Sequence, residues 1–168
     1  GLFLEDLMES AFREPLLVAL VLVLGSALFI YAEYTYDNCY HDRELTPKIG
    51  WKVGLFQCLA LIPGFSRSGA TLAGGMILGL SRYEAARFAF LLSIPIILGS
   101  GLKKLFELLV SPVPVAWAPI IFGSLTAFAV GMLAIHFMIS FVRKHTLWPF
   151  IWYRIILASF IVFVFIFN

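Results

Sequence analysis

One stretch of the chain decides its fold, and it reads GWKVGLFQCLALIPGFSRSGATLAGGMILGL over residues 50–80. Two apolar arms, at 50–62 and 70–80, flank the polar turn Pro63–Gly69. At a rise of ~1.5 Å per residue, neither arm alone crosses a bilayer core of ~30 Å. One long broken helix is the alternative, but a Pro-Gly pair followed by small polar residues makes a poor mid-span helix. We therefore predict a re-entrant hairpin over about 50–80, whose arms enter and leave by the same side.

The composition of the whole chain indicates a membrane protein. Its 168 residues are 61% hydrophobic and 13% charged, whereas soluble globular domains average about 45–50% and about 25%. One soluble core cannot bury so much apolar surface, and the aromatic content argues against disorder or a coiled coil. The net charge of +2 does not suggest nucleic-acid binding. Cys39 and Cys58 give neither a disulfide framework nor a metal-ligand spacing.

Four longer apolar runs predict membrane-spanning helices. They lie at about Pro15–Tyr34, Arg82–Leu102, Val115–Phe141 and Leu147–Phe167. The second run follows the capping-box pattern Ser81-x-x-Glu84, which marks a helix start, and a polar loop at 36–48 follows the first run. The predicted fold class is all-α: a single polytopic membrane domain over 1–168, with four transmembrane helices plus the re-entrant helix-loop-helix hairpin.

The distribution of basic residues supports the hairpin. If the segment turns back, one side of the membrane collects Arg43, Lys48, Lys52, Arg82, Arg87, Arg143 and Lys144. The other side keeps Arg13, Lys103 and Lys104. This bias agrees with the positive-inside rule, whereas a segment that crossed the membrane would largely remove it.

The polar turn is the segment that most needs a functional explanation. An Arg at membrane depth, here Arg67, costs about 2.5–3.5 kcal/mol on the insertion scale and favours an anionic partner. A half-helix that starts near Ser68 would point its free N–H groups and its positive dipole end at the turn. Nearby hydroxyls and flexible glycines would complete a phosphate or pyrophosphate site. The candidate residues are Ser66, Arg67, Ser68, Gly69 and Thr71. The alternative is an ordinary N-cap beside an Arg that reaches the membrane interface.

Arg154 is a second candidate for the site. It lies roughly 10 Å into the last span by helical rise. A side chain that reaches the headgroups explains it about as well as a role in the site. The residues alone leave both interpretations open.

Several blocks of the sequence resemble one family of bacterial membrane enzymes. The blocks are QCLALIPGFSRSGAT at 57–71, GGM at 74–76, GLSR at 79–82, FLLSIP at 90–95 and PFIWYR at 149–154. They resemble the undecaprenyl-pyrophosphate phosphatases, the bacitracin-resistance family, over essentially the whole chain. The resemblance implies hydrolysis of undecaprenyl pyrophosphate to undecaprenyl phosphate, which recycles the carrier lipid of peptidoglycan synthesis. It also implies a multi-pass protein of the bacterial inner membrane, with a site that opens to the periplasmic face.

The resemblance also implies roles for individual residues. Arg67 would hold a phosphate of the lipid pyrophosphate while Ser66 and Thr71 orient its oxygens, and these three are the catalytic candidates. The other implied phosphate-binding residues are Ser68, Gly69 and Arg154. As a nucleophile, Ser66 lacks a His or Lys base nearby in the sequence.

The front of the chain departs from the family pattern. The family carries an N-terminal repeat in which a Glu-x-x-x-Glu motif is followed by a Pro-x-Ser-Ser-x-Gly-His stretch, and that combination does not occur here. We therefore expect the chain to be the C-terminal repeat of an inverted-repeat fold, incomplete alone, with the N-terminal repeat as its partner. A divalent cation, Mg²⁺ or Ca²⁺, is implied by the resemblance only, and no metal ligand is predicted in this chain. The alternative function is a lipid-phosphate or anion transporter that uses a broken-helix phosphate site.

Overall fold

The structure is a computed structural model that describes residues 15–38, 43–111 and 114–167. Within these ranges the chain forms six α-helices and one short 3₁₀ helix, and none of the described residues forms a strand. The α-helices are α1 (Pro15–Asn38), α2 (Pro47–Phe56), α3 (Arg67–Ile77), α4 (Arg82–Leu109), α5 (Trp117–Val142) and α6 (Trp148–Phe167). The 3₁₀ helix, Gln57–Leu61, lies between α2 and the turn. The predicted all-α class is confirmed. Two residues named in the sequence analysis, Arg13 and Cys39, lie outside the described residues.

Four of these helices, α1, α4, α5 and α6, are long and apolar enough to cross a membrane. They match the four predicted spans, and the chain is a multi-pass membrane protein. Two boundaries differ from the prediction by more than two residues. Helix α1 continues to Asn38, into the segment expected to be a loop, and α4 continues past its expected end to Leu109. The additional turns of α4 carry the pairs of Lys103 and Lys104 with Glu107, at spacings that stabilise a helix surface.

The segment between α1 and α4 folds back on itself. The backbone N–H of Arg43, before α2, donates to the carbonyl of Gly79, after α3, at 3.3 Å. The two arms therefore begin and end together, as the hairpin prediction requires. They approach closely because Gly74 has no side chain, and a Cβ there would overlap Phe56. Since α3 has 11 residues, it is about 16 Å long, roughly half the depth of a bilayer core.

A buried ion pair ties together the end of the bundle where the hairpin begins. Glu33 of α1 is 2% exposed and accepts two hydrogen bonds from Arg82, the first residue of α4. The N–H of Leu147, just before α6, donates to Glu33 Oε1 at 2.6 Å. Arg143, just after α5, lies over the ring of Tyr83. The helix ends that were expected to share one basic side of the membrane do lie together.

Helix α3 is the central element of the described fold. Its residues 69–76 are all buried, and it packs against α1, α2 and α4. Helix α5 is the opposite case, because it packs chiefly against α4 and leaves most of its apolar side chains exposed. Lipid or another membrane helix can contact such an apolar outer surface.

Candidate functional site

The turn before α3 carries an unusual backbone conformation. Ser66 has φ 73° and ψ 114°, the one positive φ of a non-glycine residue among those the structure describes. Such a conformation costs of order 1–3 kcal/mol and clusters at functional sites. The Ser66 hydroxyl oxygen accepts the N–H of Gly69 at 3.3 Å, so that Ser66 is the N-cap of α3. The helix expected near Ser68 thus begins at Arg67, and the free N–H groups of its first turn lie at the cap.

A cavity of about 550 Å³ opens beside this cap. Its polar end is formed by Gly64, Ser66, Ser68, Gly69 and Arg154. Its other walls are apolar or aromatic and comprise Leu22, Phe29, Leu72, Ala86, Ala89, Phe90, Met138, Phe150 and Tyr153. A helix N-terminus and a guanidinium favour an anion, whereas the walls favour hydrocarbon. The cavity therefore has the chemistry to hold an amphipathic anion.

Arg154 of α6 is the buried cation of this cavity. The residue is 6% exposed, and its three nitrogens donate to carbonyls of Leu22 at 3.3 Å, Phe65 at 3.2 Å and Gly64 at 3.1 Å. No carboxylate in the described part of the chain pairs with it. Gly25 of α1 provides its space, because a Cβ there would overlap the guanidinium. A buried cation without a counter-charge attracts an anion to the cavity.

The sequence-predicted phosphate-binding residues occupy three kinds of position. The cavity lining includes Ser66, Ser68, Gly69 and Arg154. Arg67 stands between two lining residues along the chain, but it is exposed and outside the lining. Its guanidinium makes no hydrogen bond or ion pair with any residue that the structure describes. Thr71 is fully buried, and its hydroxyl donates to the carbonyl of Arg67 at 2.9 Å. Four of the six candidates thus meet at the cavity, while Thr71 stabilises the first turn of α3 from inside.

Two parts of the site were not predicted from the sequence. Gly25 leaves room for Arg154, and the hydroxyl of Ser26 donates at 2.8 Å to Leu22 O, which also accepts from Arg154. The available signal was a Gly-Ser pair in an otherwise apolar span, a pattern typical of close helix packing. The apolar walls, such as Phe90, give no comparable signal because similar residues occur throughout every span.

The residues that the structure describes do not form a metal site. No group of three or more His, Cys, Asp and Glu side chains comes together among them. The cavity lining includes no carboxylate, although carboxylate oxygens are typical ligands of Mg²⁺ and Ca²⁺. The divalent cation implied by the family resemblance therefore does not fit this part of the protein.

Gly64→Ala is expected to destabilise the turn by at least about 1–2 kcal/mol. Gly64 has φ +90°, and a Cβ there would lie 3.3 Å from the carbonyl oxygen of Val18. The matched control is Gly54→Ala in α2, where a Cβ meets nothing within 4 Å and Ala favours the helix. The measurement is the free energy of unfolding of each purified variant in detergent micelles. Equal effects of the two substitutions would contradict the strain assigned to this turn.

These observations define the class of the protein: a multi-pass membrane protein with a helical hairpin packed between its spans and an amphipathic cavity at the hairpin turn. The chain belongs to the bacitracin resistance family, because the family model described as Bacitracin resistance protein BacA matches residues 1–160. The match covers the hairpin, its turn and Arg154.

Curated relatives agree with this family membership. The chain is 43% identical over 159 residues to the undecaprenyl-diphosphatase of Trichlorobacter lovleyi, covering 92% of this chain and 58% of that protein. It is 40% identical over 157 residues to the undecaprenyl-diphosphatase of Geotalea daltonii, with 92% and 58% covered. For the undecaprenyl-diphosphatase of Moorella thermoacetica, the identity is 42% over 165 residues, with 98% and 62% covered. The chain thus spans 58–62% of the length of these relatives.

Proposed function

We propose that the chain forms part of a membrane phosphatase that hydrolyses undecaprenyl pyrophosphate and so recycles the carrier lipid of cell-wall synthesis. In the overall reaction, the oxygen of water bonds to the terminal phosphorus and the P–O bond to the bridging oxygen breaks. The bridging oxygen stays with undecaprenyl phosphate, and inorganic phosphate leaves. Family membership and three relatives that bear the name undecaprenyl-diphosphatase support this reaction. They give no support to transport without hydrolysis.

The observation that carries the proposal is the two-sided character of the cavity. Its polar end combines the Ser66 cap with the uncompensated charge of Arg154. Its apolar walls suit the isoprenoid units next to the headgroup, because burial of each CH₂ contributes ~0.8 kcal/mol. A diphosphate on a long hydrocarbon chain has the same division between a charged end and an apolar body.

The residues of the turn then take distinct roles. Arg67 lacks a partner among the described side chains, and it binds a phosphate of the headgroup from the edge of the cavity. Ser66 and Ser68 offer their hydroxyl groups to the phosphate oxygens. Gly69 lines the cavity without a side chain, while its N–H donates to the Ser66 hydroxyl oxygen. Thr71 supports Arg67 through the hydrogen bond to its carbonyl. The cavity lining includes no His, Lys or carboxylate that could take a proton from Ser66, so we assign Ser66 to orienting the phosphate.

The proton acceptor and the metal would come from another part of the protein. Hydrolysis of a phosphoanhydride needs a positioned base or a metal ion. The cavity lining includes no His, Lys or carboxylate, and the described residues form no metal-binding group. The named relatives are longer than this chain. We propose that an N-terminal repeat of the same fold supplies the acidic residues, together with a bound Mg²⁺ or Ca²⁺.

We also propose that the site opens toward the periplasmic face of the bacterial inner membrane. The basic residues Arg43, Arg82 and Arg143 gather at the end where the hairpin begins and ends. The positive-inside rule assigns that end to the cytoplasm. The turn at Ser66 is then directed to the opposite face.

Phosphate release in liposomes tests the proposed function. The whole protein is reconstituted with undecaprenyl pyrophosphate, and both phosphate and undecaprenyl phosphate are measured over time. We expect the two products in equal amounts. Movement of intact lipid pyrophosphate between the leaflets without phosphate release would contradict hydrolysis and favour transport.

A further inference from the structure

Arg154 connects α6 to the two peptide units that precede the cap of α3. Its terminal nitrogens donate to the consecutive carbonyls of Gly64 at 3.1 Å and Phe65 at 3.2 Å. Its Nε donates to Leu22 O of α1 at 3.3 Å. The guanidinium thus joins three segments that are far apart in the chain.

The bond to Phe65 bears directly on the backbone of Ser66. The φ angle of Ser66 is the rotation between its own backbone and the peptide plane that contains the Phe65 carbonyl. Because Arg154 holds the oxygen of that plane, it fixes one side of the rotation that gives φ 73° at Ser66. A residue with a Cβ keeps this backbone conformation only where surrounding contacts hold it in place.

The contact requires the shape of Arg as well as its charge. A guanidinium presents N–H donors in a rigid planar fork, whereas the ammonium of Lys is a compact charge on a flexible stem. The fork reaches the turn through the space that Gly25 leaves in α1, where a Cβ would overlap Cζ and Nη2 of Arg154. The three bonds and this space together hold the guanidinium against the turn.

We propose that Arg154 is a positioning residue: it holds the Gly64 and Phe65 carbonyls so that Ser66 keeps its left-handed backbone and the first turn of α3 meets the headgroup. The inference deepens the proposed function and rests on it. It replaces the direct phosphate contact that the family resemblance implied for Arg154. In this role the residue acts on the substrate through Ser66.

A double-substitution experiment on the whole protein separates positioning from direct contact. The probe is farnesyl methylenediphosphonate, a non-hydrolysable diphosphonate, and its affinity is measured in detergent micelles. Arg154→Lys is expected to weaken binding about tenfold, a factor that corresponds to about 1.4 kcal/mol. In a Ser66→Gly background the same substitution is expected to weaken binding by less than about twofold, because glycine adopts a positive φ without support.

Independent effects would overturn the proposal. If Arg154→Lys weakens binding of the probe by the same factor with and without the Ser66→Gly substitution, Arg154 does not act through the backbone of Ser66. A failure of the unaltered protein both to bind the probe and to release phosphate would overturn the proposed function together with this inference. Normal hydrolysis with independent effects would overturn the positioning role alone.

Gly25→Ala provides a second variant that keeps Arg154 itself. The added methyl displaces the guanidinium, whereas Ala is the better helix former, so that α1 itself is not weakened. We expect a loss of probe affinity similar to that of Arg154→Lys. The control is Gly123→Ala in α5, where a Cβ meets nothing within 4 Å, and its affinity should match that of the unaltered protein. Unchanged affinity in Gly25→Ala would overturn the proposal even if Arg154→Lys fails to fold.

Discussion

Arg67→Ala is expected to lower the rate of phosphate release from undecaprenyl pyrophosphate by about a hundredfold or more. Loss of one donor to a developing oxyanion typically costs ~10²–10³ in kcat. Arg67 is exposed at the first position of α3, and its guanidinium has no partner among the described residues that would compete with a phosphate. The measurement is kcat for the whole protein in liposomes, with its unfolding temperature recorded in parallel.

Arg67→Lys separates the charge of this residue from its geometry. Lys keeps the positive charge but cannot form two parallel hydrogen bonds to a phosphate, so we expect a loss of at least about tenfold. The control is Arg87→Ala, which removes a 57% exposed cation of α4 that lies 3.8 Å from Glu84 and should leave turnover unchanged. Full activity of Arg67→Lys would contradict bidentate binding, and an equal loss in Arg87→Ala would point to a general effect of surface charge.

Glu33→Ala is expected to destabilise the bundle by about 3–5 kcal/mol, the usual effect of removing one partner from a buried ion pair. The carboxylate has a side-chain exposure of 3% and pairs with Arg82, whose side chain is 17% exposed. It also accepts the N–H of Leu147 at 2.6 Å. Without this carboxylate, the poorly solvated guanidinium of Arg82 and the buried N–H of Leu147 lose their hydrogen-bond acceptor. The free energy of unfolding in detergent micelles measures the effect.

Asp37→Ala is the matched control for Glu33→Ala. Asp37 also faces Arg82, at 3.5 Å, but its side chain is 69% exposed, and an exposed pair contributes at most about 1 kcal/mol. Arg82 keeps its bonds to Glu33 and its contact with the ring of Tyr36 in this variant. Equal destabilisation by the two substitutions would contradict the central role of the buried carboxylate.

The four spans and the hairpin could be predicted because their causes are local. A run of apolar residues long enough for a bilayer predicts a helix wherever it lies, and all four runs became helices. The hairpin depended on a similar argument, because arms too short to cross and a Pro-Gly turn leave few other solutions. The ends of α1 and α4 were less predictable, since helix ends depend on neighbouring elements and on surface pairs such as Lys104 with Glu107.

The candidate site was only partly predictable. The turn and its cap follow from neighbouring residues, and the structure brings Ser66, Ser68 and Gly69 to one cavity. The sequence could not predict that Arg154 lies in the same lining, because the position of a residue along a helix does not show which residues of other helices it contacts. Glu33 lies near the end of the first apolar run, and nothing in the neighbouring sequence indicates that it is among the most buried polar residues described.

The sequence alone determined the membrane class, the hairpin and the polar turn, because hydrophobic length and turn chemistry act over a few neighbouring residues. The tertiary structure decided what Arg154 and Glu33 do. Their partners, Gly64 for one and Leu147 for the other, lie 90 and 114 positions away along the chain. Contacts at such separations depend on how helices pack, and side-chain type or local periodicity does not specify that packing.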